Sequence, residues 1–165
     1  MDVDQLQHEM KRAMRRLASG VAIITTCSGP SRFAMVATAV SSLSLDPPSL
    51  LICVNRAASI LPILATGTPF CVNVLAAHHE DVARHCSTAS GEVRFANGRW
   101  VRHVNGVPYL EDAQAAVFCM VDGGFDYGSH RIVIGRVSYL SVARDVSPLV
   151  HVDGRYVHAN PAPAA

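Results

Sequence analysis

The feature that most restricts what this chain can fold into is Asp46-Pro47-Pro48, set between two apolar runs in the stretch FAMVATAVSSLSLDPPSLLICVNR, residues 33–56. Two successive prolines supply no amide donor and each fixes its backbone angle, so a paired strand cannot run through them. A strand, a tight corner and a second strand are therefore expected. Just before the corner, Thr38, Ser41, Ser42 and Ser44 place hydroxyls in an apolar context, where a polar group without a partner is costly. Their partners are either backbone groups at a strand edge or a phosphate-bearing ligand, and the residues alone leave both open.

The rest of the chain is read around that corner. Leu6, Met10, Met14 and Leu17 recur at helical spacing with Lys11, Arg12, Arg15 and Arg16 among them, which predicts an amphipathic helix over residues 4–19, stopped by Gly20. Its apolar stripe is narrow and a strand follows at once, so it is expected to pack on the domain rather than lie on a membrane. Strands are expected at 21–27, around Phe33, and at 49–55, 70–75 and 132–140. The apolar run at 113–121 ends at Asp122-Gly123-Gly124, followed by a loop to His130. Short helices are expected at 59–66 and 78–86, and Asp153-Gly154 reads as a hairpin turn within 149–157. Strands outweigh helices, and the helices are too few for a doubly wound sheet, which leaves a small barrel or sandwich.

At 165 residues the chain is expected to make one domain, residues 1–160, with a disordered Pro/Ala tail at 161–165. Only 16% of residues are charged, which points to a face buried against another copy. Fourteen basic and thirteen acidic residues give a formal charge of +1, so there is no electrostatic case for nucleic acid or an anionic membrane. Five widely spaced cysteines lack the close pairs of a zinc site. Cys53, Cys71 and Cys119, in apolar runs, read as reduced core residues of a cytoplasmic protein. No run reaches the roughly 20 apolar residues of a membrane span. None of the eight histidines has metal-ligand spacing, and no metal is expected. Neither a dinucleotide-binding glycine fingerprint nor a phosphate loop is present.

Five blocks, in order, resemble the short-chain flavin reductase family, the NAD(P)H-dependent reductase components of two-component monooxygenases. They are Ala34-Met35-Val36-Ala37-Thr38 with Ser41 to Pro48, Val54-Asn55-Arg56 through Ser59, Phe70 to Leu75, Arg94-Phe95, and Gly128-Ser129-His130 running to Val137. The resemblance spans residues 10–157. It implies a mainly β fold, an FMN-binding split β-barrel of six antiparallel strands in a Greek key with short flanking helices, forming a homodimer. It implies hydride transfer from NADH or NADPH to FMN, or to FAD, with the reduced flavin passed to a flavin-dependent monooxygenase. A binding or storage protein on the same barrel, or a scaffold without a ligand, are the alternatives.

Carried onto this chain, the resemblance gives the backbone at Val36, Ala37 and Thr38 to the flavin ring, with Ala37 valued for its size. Thr38, Ser41 and Ser42 go to the ribityl chain and phosphate, Asn55, Arg56 and Ser59 to a second polar edge, and Arg94 with Phe95 to the phosphate end. His130 is the expected catalytic residue, at the ring and nicotinamide pocket. Asn73 reads either as structural or as near the site. Two positions depart from the family pattern: Ala34 and Val36 replace the glycine and threonine of Gly-Met-Thr-Ala, and Ser129 replaces the acid of Gly-Asp-His, removing one orienter of His130.

Overall fold

The structure is a computed structural model that describes residues 2–159. The tail expected to be disordered, residues 161–165, lies outside the described residues. The elements in chain order are α1 (Val3–Met14), β1 (Ser19–Gly20), β2 (Ala22–Ser28), β3 (Ser31–Ala37), β4 (Val40–Leu45), β5 (Pro48–Asn55), β6 (Pro69–Val74), α2 (Glu80–Thr88), β7 (Trp100–Arg102), β8 (Pro108–Leu110), β9 (Ala115–Tyr127), β10 (His130–Val142), β11 (Leu149–Val152) and β12 (Arg155–His158).

Seven strands form the main antiparallel sheet, in the order β3-β2-β6-β9-β10-β5-β4. Its two edge strands, β3 and β4, are consecutive in sequence and joined only by Thr38-Ala39. The step from Ala37 to Val40 spans at most about 11 Å, so the sheet has to curl until its edges nearly meet there. That makes a barrel with a split between β3 and β4. The count is seven rather than six because the apolar run before the prolines breaks at Thr38-Ala39 into two strands. The corner itself is as expected: Leu45 and Pro48 are register partners, and Pro48 takes the first position of β5, where a missing donor costs least.

The barrel interior is filled from alternate positions of each strand, including Ile24, Leu50, Ile52, Val54, Phe70, Val72, Val121 and Val133. Outside the barrel the two halves differ. Over β2, β3, β6 and the first half of β9, the excursion between β6 and β9 supplies a cover: Val82, Ala83 and Cys86 of α2, Phe95 and Leu110 pack on Val21, Ile23 and Ala34, while Val107 packs with Cys71, Ala116 and Phe118. Among the described residues, no element covers the outer side of β5, the first half of β10 and the far half of β9.

Three expectations need correction. β9 does not stop at Asp122-Gly123-Gly124 but runs thirteen residues through it, because the register shift between Ile134 and Gly135 leaves Asp122 as the extra residue of a bulge. The helix expected over 59–66 is only a 3-10 turn, Leu61–Ile63. The amino-terminal helix does form, capped by Asp2, whose Oδ1 accepts the Gln5 N–H at 2.7 Å, but none of its residues is buried. It meets the body at its carboxyl end, where Arg15 C=O accepts the Asp153 N–H at 2.8 Å. Leu6 and Met10 of its stripe are exposed, while Met14 and Leu17 line a cavity shared with Thr38 and Ala39.

Candidate functional site

The split is the natural place to look, since an edge strand carries unpaired backbone groups. Arg94 Nη1 donates to the Ala34 carbonyl, so Ala34 points its backbone away from β2. In an antiparallel pair this outward direction recurs at every second residue, and Val36 therefore offers its N–H and C=O to the same open edge. The side chains do something else: Val36 packs on the outer cluster and Ala37 is in the barrel core, so only backbone is left for a ligand. At the joint, Thr38 lines a cavity of about 580 Å³ between the barrel and the end of α1. The hydroxyls of Thr38 and Ser42 make no hydrogen bond to the described residues. Ser44 is committed to its own turn through Asp46, and Ser41 Oγ reaches only the Ser42 carbonyl, at 3.2 Å.

At the other end of β3, about 230 Å³ is enclosed by Arg32, Phe33, Ala34, Ser59, Ser90, Gly91 and Arg94. The fold thus brings Ser59 and Arg94 together across 35 residues of sequence. Arg94 is held in place by its bond to Ala34 and by Nε donating to the Ala89 carbonyl at 2.9 Å. Phe95 is 7% exposed and has no face to offer a ligand. Its ring meets Trp100 edge-on at 5.0 Å and carries the Arg32 guanidinium at 4.2 Å, so it supports the cavity from behind. Arg32 and Ser90 were not legible as site residues, although an arginine alternating with apolar neighbours in a strand is a signal that could have singled out Arg32.

His130 and Asn55 are register partners across β10 and β5, with Tyr127 on the other side. Ser129 Oγ lies 2.9 Å from His130 Nδ1, so the serine that replaces the family's acid itself orients the ring. Asn55 Oδ1 accepts the Ala57 N–H at 2.9 Å. Arg56 goes elsewhere: it lines a separate cavity of about 450 Å³ with Asp126 and Arg131, and Arg131 is the partner of core-facing Val54. Strand alternation puts Arg56 on the other side of the sheet from His130. Asn73 is structural, donating to the Ile23 carbonyl at 2.9 Å and accepting the Leu110 N–H at 2.8 Å.

The outer side of β5 and β10 that no element covers is apolar. Leu51 and Cys53 of β5 alternate with core residues, opposite Ile134 and Ile132, and Phe125 follows Ile132 in the same row. Phe125 is 55% and Tyr127 80% exposed. Cys53 thus belongs to this face and not to the core. Cys71 and Cys119 are buried as expected, and burial pushes the Cys119 thiol up to about 12.

Among the described residues, His78, His79 and Asp112 bring ligand-type atoms within 4.8 Å of one another. The Ala76 N–H donates to His79 Nδ1 at 3.1 Å, so the proton of the neutral ring belongs on Nε2, 3.2 Å from Asp112 Oδ1. Within this group, His79 caps the turn leading into α2 through its Nδ1.

The family described as flavin reductase like domain matches residues 14–160. Over 158 residues, 92% of this chain and 87% of the relative, the sequence is 39% identical to the reductase component of FADH(2)-dependent resorcinol hydroxylase from a Rhizobium species. It is 36% identical to the FMN reductase (NADH) RutF of Variovorax paradoxus over 149 residues, 90% of this chain and 83% of that one. Among solved structures, the NADH:FAD oxidoreductase SgcE6 of Streptomyces globisporus, in complex with NAD and FAD fragments, superposes with a TM-score of 0.87 at 27% identity, covering 100% of this chain and 98% of the other.

Proposed function

The chain belongs to the flavin reductase-like domain family, and from that premise we propose that it is an NAD(P)H-dependent flavin reductase supplying reduced flavin, FMN in preference to FAD, to a separate flavin-dependent monooxygenase. The observation that carries this reading is the split edge of the barrel. Open backbone at Val36 leads, within roughly 13 Å of strand, from Thr38 to a cavity that holds Ser59 and two guanidiniums. That is a fit for a long ligand with a hydrogen-bonding ring at one end and a phosphate at the other, because a guanidinium grips phosphate with paired donors.

A bound flavin would supply the redox chemistry itself, taking hydride from the nicotinamide. The chain's own residues bind and orient. Arg94, fixed by two carbonyls, keeps Nη2 for a phosphate oxygen, and Ser59 adds a hydroxyl. Thr38, Ser41 and Ser42 offer donors along the middle, and the Val36 backbone meets the polar edge of the ring. His130, steadied by Ser129 and beside Asn55, positions the reductant. The contacts gathered around Arg94 and Ser59 account for one phosphate, hence FMN.

The uncovered face of Leu51, Cys53, Ile132, Ile134 and Phe125 supports a homodimer, and the five free cysteines are in keeping with a reducing compartment such as the cytoplasm. No described helix is long and apolar enough to cross a membrane. The test is NADH consumption by purified protein with and without added FMN. Steady consumption that depends on FMN is expected. Failure to consume NADH with FMN, FAD or riboflavin would reject the reading, and a yellow protein that holds FMN without turnover would turn it into a flavin-binding one.

A further inference from the structure

One of the two arginines lining the cavity beside β3 is already paired with an acid. Arg32 enters from the open edge of β3 with 22% of its side chain exposed, its guanidinium resting on Phe95. Nε donates to Glu92 Oε1 at 2.7 Å and Nη2 donates to the same oxygen, leaving Nη1 uncommitted among the described residues. Glu92 comes from the loop that also carries Arg94, and its side chain is 62% exposed. The hydrogen bonds from Arg32 hold its carboxyl below the usual range, so Glu92 is ionised whenever a phosphate dianion is present. Two arginines therefore line a volume of about 230 Å³, and one of them is held from outside that lining by the Glu92 carboxylate.

We propose that Arg32 is a second phosphate-binding residue of this site and that Glu92 is its built-in competitor, which keeps flavin affinity low enough for the cofactor to leave. This rests on the flavin reductase reading above. Carboxylate and phosphate oxygens ask for the same donors of a guanidinium, and a phosphate monoester carries about −1.5 to −2 charges at neutral pH. An exposed Arg-Glu pair is a weak interaction, so the phosphate can take Arg32 over. It does so against the pull of Glu92 on that arginine and against direct repulsion between the two anions. Arg94, tied to backbone carbonyls and paired with no acid, gives the site its position; the Arg32-Glu92 pair sets its strength. Such a device suits a reductase whose product has to reach another protein.

FMN and riboflavin differ only by the phosphate, so their comparison isolates this cavity. Each would be titrated into the full-length protein and into Glu92→Gln, Arg32→Gln and the double variant, with quenching of flavin fluorescence as the readout. Glu92→Gln should tighten FMN roughly three- to tenfold, the range expected for removing one charge near a solvated dianion, and leave riboflavin unchanged. Arg32→Gln should weaken FMN and not riboflavin, and in that background the gain from Glu92→Gln should shrink. An FMN-to-riboflavin affinity ratio that stays the same in Glu92→Gln overturns the proposal while leaving the reductase reading intact. If the unmodified protein binds neither flavin, the reductase reading falls and the proposal with it.

Discussion

His130 opens β10 beside Asn55 and Tyr127, with Ser129 Oγ on its Nδ1, far along the chain from Arg94 and Ser59 at the phosphate end. An interaction made only in the reacting complex affects rate and not resting affinity. His130→Ala is therefore expected to slow anaerobic reduction of bound FMN by about tenfold, near 1.4 kcal/mol, with the FMN titration changed less than twofold. Stopped-flow reduction at the parent rate would refute this. His79 has a different task. Burial lowers its pKa from 6.5, partly opposed by Asp112. Below about pH 6.5 the unfolded chain binds a proton that the native ring refuses, so this residue makes stability fall as pH drops toward the depressed native value. His79→Gln keeps an acceptor for the Ala76 N–H and removes the titration. Urea midpoints at pH 7.5 and pH 5.5 should lie closer together in that variant than in the parent, and an unchanged gap would show that the slope originates elsewhere.

At the scale of elements, the β9–β10 hairpin shows how glycine can mislead a reading of sequence. Asp122-Gly123-Gly124 has the composition of a strand end, yet the strand continues, because Asp122 bulges out to pair with Arg136 at 3.5 Å and Gly124 lies against the Ile132 backbone. Close approach, not termination, is what the glycine serves. Gly135 on the partner strand is similar: a Cβ there would lie 2.9 Å from Phe70 Cε1, closer still to Cζ, and 3.0 Å from Cys119 Cβ. Phe70 is fully buried and cannot move aside. Gly135→Ala should cost about 1–3 kcal/mol by overpacking, read as a lower urea midpoint, whereas no loss would mean that the barrel relaxes around the ring. By contrast, Asp153-Gly154 was legible as a two-residue hairpin turn, and both residues adopt positive φ, 50° and 76°.

For the whole molecule, the low charged fraction acquires a location. One half of the barrel's outer surface is covered by α2 and the strands that follow it, while the half made by β5 and the first part of β10 presents Leu51, Cys53, Ile132 and Ile134 with no described residue over them. The exposed stripe of α1 adds Leu6, Met10 and Met14. Apolar surface left open in this way marks an interaction site, and a second copy is the occupant expected here. Placing a charge in its middle, as in Ile134→Glu, should shift the protein from dimer to monomer in light scattering at micromolar concentration, with the circular dichroism of the barrel retained. A parent that is already monomeric, or a variant that remains dimeric, would remove this face from the interface.

Most of the long strands, the proline corner and the family motifs were legible in the sequence, because each depends on residues near one another and on local period; the short strands β7 and β8 were not. What the tertiary structure decided is everything that depends on curvature and on register between distant segments. The break at Thr38-Ala39 has no strong turn residue, and it exists because a curled sheet has to pass the chain from one edge to the other. Ser59, Arg94 and Arg32 meet only because the excursion after β6 folds back over β3. Arg56 and His130, both site candidates by resemblance, part company because alternation across β5 and β10 sends them to opposite sides of the sheet. Periodicity states which residues share a face; only the closed sheet determines what that face meets.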